Sequence, residues 1–264
     1  MKRTQTELNP ADFPLEMRPF LKGAAIYDSS CSPEARVWYI DRDGGLFLKK
    51  NAARTLKNEA VMTGYFHSLG LSAEVLSFAE DGQHDYLLTR RIPGEDCTHE
   101  MYRREPERLC DVLAGQLRKL HEIRAEECPV RDRLESYKAG VLRGHAKGGY
   151  EPDLFRELWQ FDSEEAAWAA AERGLPALRA EVLIHGDYCL PNVMLDNWRF
   201  SGFIDVGAGG IADRHIDVLW GVWTMMFNLH TTQYTDRFID AYGRDRIDRE
   251  LLRCVAAMEM IAES

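Results

Sequence analysis

Several signals that would take a chain out of the soluble globular class are missing here. No apolar run reaches the roughly 18 residues of a membrane-spanning helix, so no membrane partner is expected. The opening Met1-Lys2-Arg3-Thr4-Gln5-Thr6-Glu7 lacks the apolar core of a secretory signal. Six cysteines (Cys31, Cys97, Cys110, Cys128, Cys189 and Cys254) are scattered without a C-x-x-C pair. That spacing disfavours a disulfide framework or a zinc site and fits reduced thiols in the cytoplasm. Positive charge is in deficit, with 33 Lys and Arg against 43 Asp and Glu and a net charge of -10, so no nucleic-acid partner is expected either. Internal repeats and low-complexity segments are absent.

What is present is ordinary in amount. At 264 residues the chain can form one large domain or two lobes, each with its own core. Hydrophobic residues make up 45% and charged residues 29%, as in most soluble proteins. The acidic balance suits a cationic small substrate, whose local concentration a cleft of carboxylates would raise.

The chain is organised around Ile184-His185-Gly186-Asp187-Tyr188-Cys189-Leu190-Pro191-Asn192 and the later Phe203-Ile204-Asp205-Val206-Gly207. Between them, Val193-Met194-Leu195 and Phe200-Ser201-Gly202-Phe203-Ile204 flank the polar Asp196-Asn197-Trp198-Arg199, the signature of a hairpin. Closing that hairpin is expected to bring Asn192 beside Asp205, with Asp187 just upstream. Phosphoryl transfer from a nucleotide needs such a trio: a carboxylate to orient the attacking hydroxyl, and an amide and a second carboxylate to hold Mg²⁺. The order and spacing follow the kinase signature, with His185-Gly186-Asp187 in place of His-Arg-Asp and Asp205-Val206-Gly207 in place of Asp-Phe-Gly. The competing possibility is that the two aspartates only cap turns.

Elsewhere the text is coarser. Residues 1–22 are polar, with Pro10 and Pro14, and read as a short leading helix and loop. Arg36–Ile40 and Gly45–Lys49 read as a hairpin closed by Asp41-Arg42-Asp43-Gly44. A helix is expected from Thr55 to Leu69, with Met62, Tyr65, Phe66 and Leu69 on one face. Val75–Phe78 and Asp85–Arg90 read as two more strands, followed by a break at Arg91-Ile92-Pro93-Gly94-Glu95. Pro106–Glu122 carries a helical apolar stripe ending at His121, read as a structural residue. Residues 125–160 read as irregular, Glu164–Arg173 as a helix capped by Ser163, and Tyr234–Tyr242 and Asp248–Ala262 as the last helices.

These motifs resemble the aminoglycoside phosphotransferases, and most closely their 3'-phosphotransferase branch, a family of bacterial resistance enzymes. The likeness is carried by His185-Gly186-Asp187-Tyr188-Cys189-Leu190-Pro191-Asn192, by Phe200-Ser201-Gly202-Phe203-Ile204-Asp205 and by Ala212-Asp213-Arg214, and runs more weakly from about Ser30 to the end. It implies an α+β, protein-kinase-like fold in two lobes. Residues 1–92 would form a nucleotide-binding lobe with an antiparallel sheet, and residues 93–264 a mainly helical lobe for catalysis and substrate. It also implies ATP, with GTP as an alternative, and Mg²⁺ as cofactors, an aminoglycoside as substrate, and a monomer or weak dimer in the cytoplasm.

Residue by residue, the likeness makes Asp187 the catalytic base and Asn192 and Asp205 the metal ligands. Lys49, with Lys50 as the rival, would reach the phosphates and pair with Glu59. Glycine is missing from Asp28-Ser29-Ser30-Cys31-Ser32-Pro33, where a kinase covers the phosphates; in this family a serine loop serves, and Ser32 matches it. Adenine would stack on Phe47 and bond to the backbone around Arg90 and Ile92. Asp217 would brace the catalytic loop and Asp213 would fix local structure. Glu157 and Asp162 fall near the family's substrate-binding segment, although a solvated, acid-rich helix start explains them equally well. Glu259 is the best match to a carboxylate near the family's C-terminus. Two departures stand out: Ala208 replaces an arginine common after Asp-x-Gly, and no aromatic residue ends the chain. A kinase of the same fold acting on a choline-like or sugar alcohol, or a nucleotide-binding regulator without catalysis, are the alternatives.

Overall fold

Alternation of apolar and polar residues over positions 36–52 forms the middle of an antiparallel sheet in the computed structural model, which describes residues 3–31 and 35–262. The strands are β1 (Thr4–Thr6), β2 (Ala25–Asp28), β3 (Arg36–Asp41), β4 (Leu46–Ala52), β5 (Val75–Glu80) and β6 (His84–Arg90). Their spatial order is β1-β2-β3-β4-β6-β5, every neighbour antiparallel. The β3–β4 turn places Asp43, Gly44 and Gly45 at φ 53°, 86° and 103°, which is why it is rich in Gly and Asp. β1 has no apolar residue, which is why it does not read as a strand; its backbone pairing with β2 makes it one.

One sheet face carries Ile26, Trp38, Ile40, Leu46, Leu48, Tyr86 and Leu88 in a single core. The leading segment covers it with Phe13 and Met17 and with Leu21 from the short helix α1 (Arg18–Leu21). Phe13 stands edge-on to Trp38 at 5.6 Å, the aromatic geometry favoured over a face-to-face sandwich. On the opposite face lies α2 (Lys57–Ser68), which buries Met62 and Phe66.

Beyond β7 (Glu95–Asp96) come α3 (Glu100–Arg103), α4 (Pro106–His121), α5 (Arg133–Ala146), α6 (Glu164–Gly174) and the strand β8 (Val182–Ile184). A hairpin follows, β9 (Val193–Asp196) and β10 (Arg199–Phe203), then β11 (Gly210–Ala212), α7 (Arg214–Leu229), α8 (Thr235–Tyr242) and α9 (Arg249–Ile261). β11 pairs antiparallel with β8. Ser163 caps α6 by accepting from the Ala166 N–H at 3.2 Å, as its sequence indicates. The expectation of irregular structure over 125–160 is wrong for α5. That helix buries Leu134 and Val141 together with Gly140 and Gly144, so glycines occupy half of its packed face and hide the apolar stripe.

Backbone contacts divide the chain into Met1–Asp96 with Met194–Gly207, and Cys97–Val193 with Ala208–Ser264. The first break therefore falls four residues after the 92/93 boundary read from the sequence, and the β9–β10 hairpin leaves the sequence order to pack in the first unit. Local contacts explain this. β9 pairs with β7, Leu195 opposite Glu95. Gly94 has φ 92° and lies so close to the hairpin that a Cβ there would stand 2.1 Å from the Leu195 carbonyl oxygen. The Phe203 N–H donates to Leu71 O at 2.7 Å, and the fully buried Phe203 ring meets Phe66 at 6.1 Å. Phe203→Ala should lose about 3–5 kcal/mol of unfolding free energy in a denaturant titration, the range for an enclosed aromatic truncated to alanine. A loss below about 1 kcal/mol would mean that this ring does not anchor the hairpin.

Candidate active site

Strand alternation separates the two candidate lysines. Leu46 and Leu48 of β4 enter the core, so Phe47, Lys49 and Asn51 share the other face and line a cavity of about 390 Å³. Lys50 points the opposite way, with Nζ 5.5 Å from the centre of the Tyr86 ring. The Lys49 ammonium donates to Glu59 Oε2 at 2.8 Å and Oε1 at 3.0 Å, and to Asp205 Oδ1 at 2.7 Å. Burial alone would lower its pKa; the Asp205 and Glu59 carboxylates overcome that and hold it well above the ordinary lysine value. Asp205 adopts a left-handed backbone, φ 55°, a conformation that a residue with a Cβ keeps only when its surroundings hold it.

The cavity has the size of a small-ligand site. Phe47, Lys49, Glu59, Arg90, Ile92 and Asp205 all line it. Ser32 lies outside the described residues, but Cys31 and Ala35 on either side of it line the same space. Sequence reasoning missed the apolar lining given by Val37, Leu87, Met194 and Ile204, whose only signal was strand alternation.

In the second unit the loop after β8 presents Asp187, half-buried, with Asn192 almost fully enclosed beside it. Asn192 Nδ2 donates to Asp187 Oδ2 at 2.7 Å and to the Asp187 carbonyl at 3.0 Å. The loop is tied from below. The fully buried Asp217 carboxylate accepts the His185 N–H at 2.7 Å and the Gly186 N–H at 2.8 Å. His121 Nε2 lies 3.1 Å from the same carboxylate, and its Nδ1 lies 2.7 Å from the Tyr242 hydroxyl. Because a carboxylate only accepts, Nε2 carries the proton in this pair. Further ties run from the Tyr188 hydroxyl to Leu113 O and from the Leu190 N–H to Thr224 Oγ1. Gly186, at φ 87°, packs so tightly that a Cβ would stand 2.0 Å from the Ala208 carbonyl oxygen. Asp213 caps α7 through the His215 N–H at 2.9 Å.

The candidate acceptor carboxylates are placed unequally. Glu259 keeps slight exposure as a residue, but its carboxyl end is enclosed, and burial pushes its pKa up to about 7. The Tyr137 hydroxyl and the Arg133 guanidinium oppose the rise, and the Asp187 charge reinforces it. Tyr137 lies close enough to favour the ionised form yet without the alignment of a full hydrogen bond, and its hydroxyl and Arg133 Nε are enclosed without a partner among the described residues. Glu259 and Asp187 are therefore within electrostatic reach of each other. Glu157 and Asp162 are solvent-exposed.

Comparison with known proteins bears on this arrangement. The sequence model of the phosphotransferase enzyme family matches residues 33–255. A probable aminoglycoside 3'-phosphotransferase of Lactococcus lactis subsp. lactis (strain IL1403) is 44% identical over 256 residues, 97% of each chain. A crystal structure of an aminoglycoside-3'-phosphotransferase of type VIII superposes with a TM-score of 0.71 at 25% identity, covering 94% of this chain and 100% of that one. An aminoglycoside phosphotransferase of Streptomyces rimosus, solved with ADP and streptomycin, gives a TM-score of 0.71 at 21% identity over 87% of this chain and 91% of that one.

Asp217→Ala would leave the His185 and Gly186 N–H groups without their acceptor. Hydrogen bonds to a charged group contribute about 1.5–3 kcal/mol each, so denaturant unfolding should show a loss of roughly 3–6 kcal/mol. Asp217→Asn, which keeps one acceptor oxygen, should fall between. An alanine variant within about 1 kcal/mol of wild type would refute the bracing role.

Proposed function

Because the chain belongs to the phosphotransferase enzyme family, we propose that it transfers the γ-phosphate of ATP to a hydroxyl of an aminoglycoside, in the manner of a 3'-phosphotransferase, and so confers resistance. The observation that carries the nucleotide half is the Lys49 ammonium, fixed by Glu59 on the wall of the ligand-sized cavity. The acceptor class comes from the relatives, and the acidic composition agrees with it.

In this proposal Phe47 stacks on adenine, whose polar edge meets backbone groups around Arg90 and Ile92. Lys49 reaches the phosphates. Asn192 and Asp205 fit as Mg²⁺ ligands by the chemistry of their donors. With its N–H₂ group committed to Asp187, Asn192 would have its carbonyl oxygen to offer the ion and Asp205 its carboxylate, both of them hard oxygen donors. Bound there, Mg²⁺ would supply charge neutralisation of the phosphate oxygens. The acceptor oxygen bonds to the γ-phosphorus as the bond to the β–γ bridging oxygen breaks. ADP leaves, and the hydroxyl proton passes to Asp187 late in the transfer. Such catalysis is mostly positioning and charge stabilisation. Glu259, with Glu157 and Asp162 farther out, would receive the acceptor's ammonium groups.

Asp187→Ala should lower kcat for kanamycin by about 10²–10⁴ while ATP affinity stays near wild type. Turnover within a few-fold of wild type would overturn the assignment of the base. No turnover of kanamycin or neomycin by the wild-type protein with ATP and Mg²⁺ would overturn the whole proposal.

The pH dependence has a definite sign. The folded pKa of Glu259 is raised, so the carboxyl is neutral below about 7 and ionises as pH rises through that value. Attraction for a cationic acceptor should therefore strengthen, and its KM fall, between roughly pH 5.5 and 7.5. Glu259→Gln should flatten that profile. The same shift makes Glu259 favour the folded state most below its unfolded value of 4.5 and lose that contribution as pH rises to about 7, so wild type should lose stability over this window relative to the glutamine variant. Parallel KM and stability profiles in the two proteins would refute the assignment.

A further inference from the structure

Helix α7 carries, beyond Asp217, a stripe of large aromatic residues that the proposed chemistry does not use. Trp220 and Trp223 meet edge-on at 5.3 Å, and Trp223 and Phe227 stack at 4.8 Å with their planes 18° apart. The first two are held in place: Phe155 lies 5.6 Å from Trp220 and 6.3 Å from Trp223, and the Trp223 indole N–H donates to Leu154 O at 2.7 Å. Phe227 is different. It is 56% exposed, so much of its ring meets solvent while one face stacks on Trp223.

The stripe is continuous with the acceptor carboxylates. Trp220 is among the groups acting on Glu259, which in turn feels Asp187. Glu157 belongs to the segment whose Leu154 carbonyl and Phe155 ring hold Trp223 in place. An aromatic face beside carboxylates is a surface for a cation carried on a ring: the π-face attracts ammonium groups, and the flat pair accepts the apolar face of a sugar. Ten residues separate Asp217, beneath the catalytic loop, from Phe227. At 1.5 Å per residue that is about 15 Å along the helix, farther than one sugar ring reaches.

We propose that the Trp223–Phe227 pair is a stacking platform for an ammonium-bearing ring of the acceptor remote from the hydroxyl being phosphorylated. The platform selects extended aminoglycosides over short ones and rests on the acceptor class proposed above. Phe227 contributes to binding and touches no reacting atom.

The test is steady-state kinetics of Phe227→Ala and Phe227→Tyr with neomycin, which has four rings, and with neamine, its two-ring fragment. Because Phe227 is exposed, its truncation should leave the fold intact, and the melting temperature checks that. Phe227→Ala should raise KM for neomycin by about 3- to 10-fold with little change in kcat and leave KM for neamine within about 1.5-fold, whereas Phe227→Tyr should restore the neomycin value. Wild-type turnover of neomycin with an unchanged KM in Phe227→Ala would overturn the platform alone, as would equal rises for both substrates. Failure of the wild type to phosphorylate either compound would overturn the acceptor class and the platform together.

Discussion

A carboxylate that never meets solvent sets the geometry of the catalytic loop. Taking a charge such as Asp217 out of water costs several kcal/mol unless donors replace the lost hydration. Here two consecutive backbone N–H groups and an imidazole do so. The requirement runs both ways. The His185 and Gly186 N–H groups can converge on one carboxylate only while the chain turns at Gly186, where φ is 87° and no Cβ would fit against Ala208. Asp187 follows that turn directly, and Asn192 fixes its carboxylate. The orientation of Asp187 is thus inherited from the hydrogen-bond demands of a buried neighbour, which a two-stranded pairing of β8 with β11 and the N-terminal turn of α7 hold in register.

In the other unit one ammonium is shared between two carboxylates of different shielding. Glu59 is 13% exposed at its side chain and Asp205 48%, so the contact with Glu59 lies in the lower dielectric and is the more durable. A polyanionic ligand entering the cavity competes more easily for the side of Lys49 that faces Asp205. In the nucleotide-binding role proposed above, Glu59 would hold the lysine in place while the more exposed Asp205 gave way to the phosphates. The left-handed backbone of Asp205 agrees with a residue whose position is imposed by the hairpin end rather than chosen by its own preference.

Much of this was legible because local chemistry and tertiary role coincide. The family likeness favoured Lys49 and left Lys50 as the rival, and the strand alternation of β4 sets the two on opposite faces; the β9–β10 turn was marked by Asn197, which, with Trp198, takes positive φ. The trio around the hairpin was marked by residue type and order. What was not legible depended on distant partners. α5 hides because glycines take half of its buried face and so break its apolar stripe. β1 exists through backbone pairing alone. Sequence order could not show that the hairpin packs with Leu71 and Phe66, more than a hundred positions upstream. Nor did the text distinguish Glu259, whose carboxyl is enclosed and shifted, from Glu157 and Asp162, which are not enclosed; the difference lies in what α5 and α7 bring against α9.

That difference bears on selectivity. Two carboxylates within electrostatic reach, one of them desolvated, resist being ionised together. Burial raises the Glu259 pKa to about 7, and the Asp187 charge reinforces that rise. A neutral alcohol entering beside them relieves nothing. In the acceptor-binding role proposed above, an acceptor bearing ammonium groups would stabilise both charges at once, turning the desolvation penalty on Glu259 into a preference for cations. Adding carboxylates on the exposed surface would attract cations too, but with salt-screened forces and without discrimination. In the proposed role, enclosing one carboxylate among Tyr137, Arg133 and Trp220 would give fewer charges and a sharper choice, because a neutral competitor would leave a buried acid unpaired or protonated.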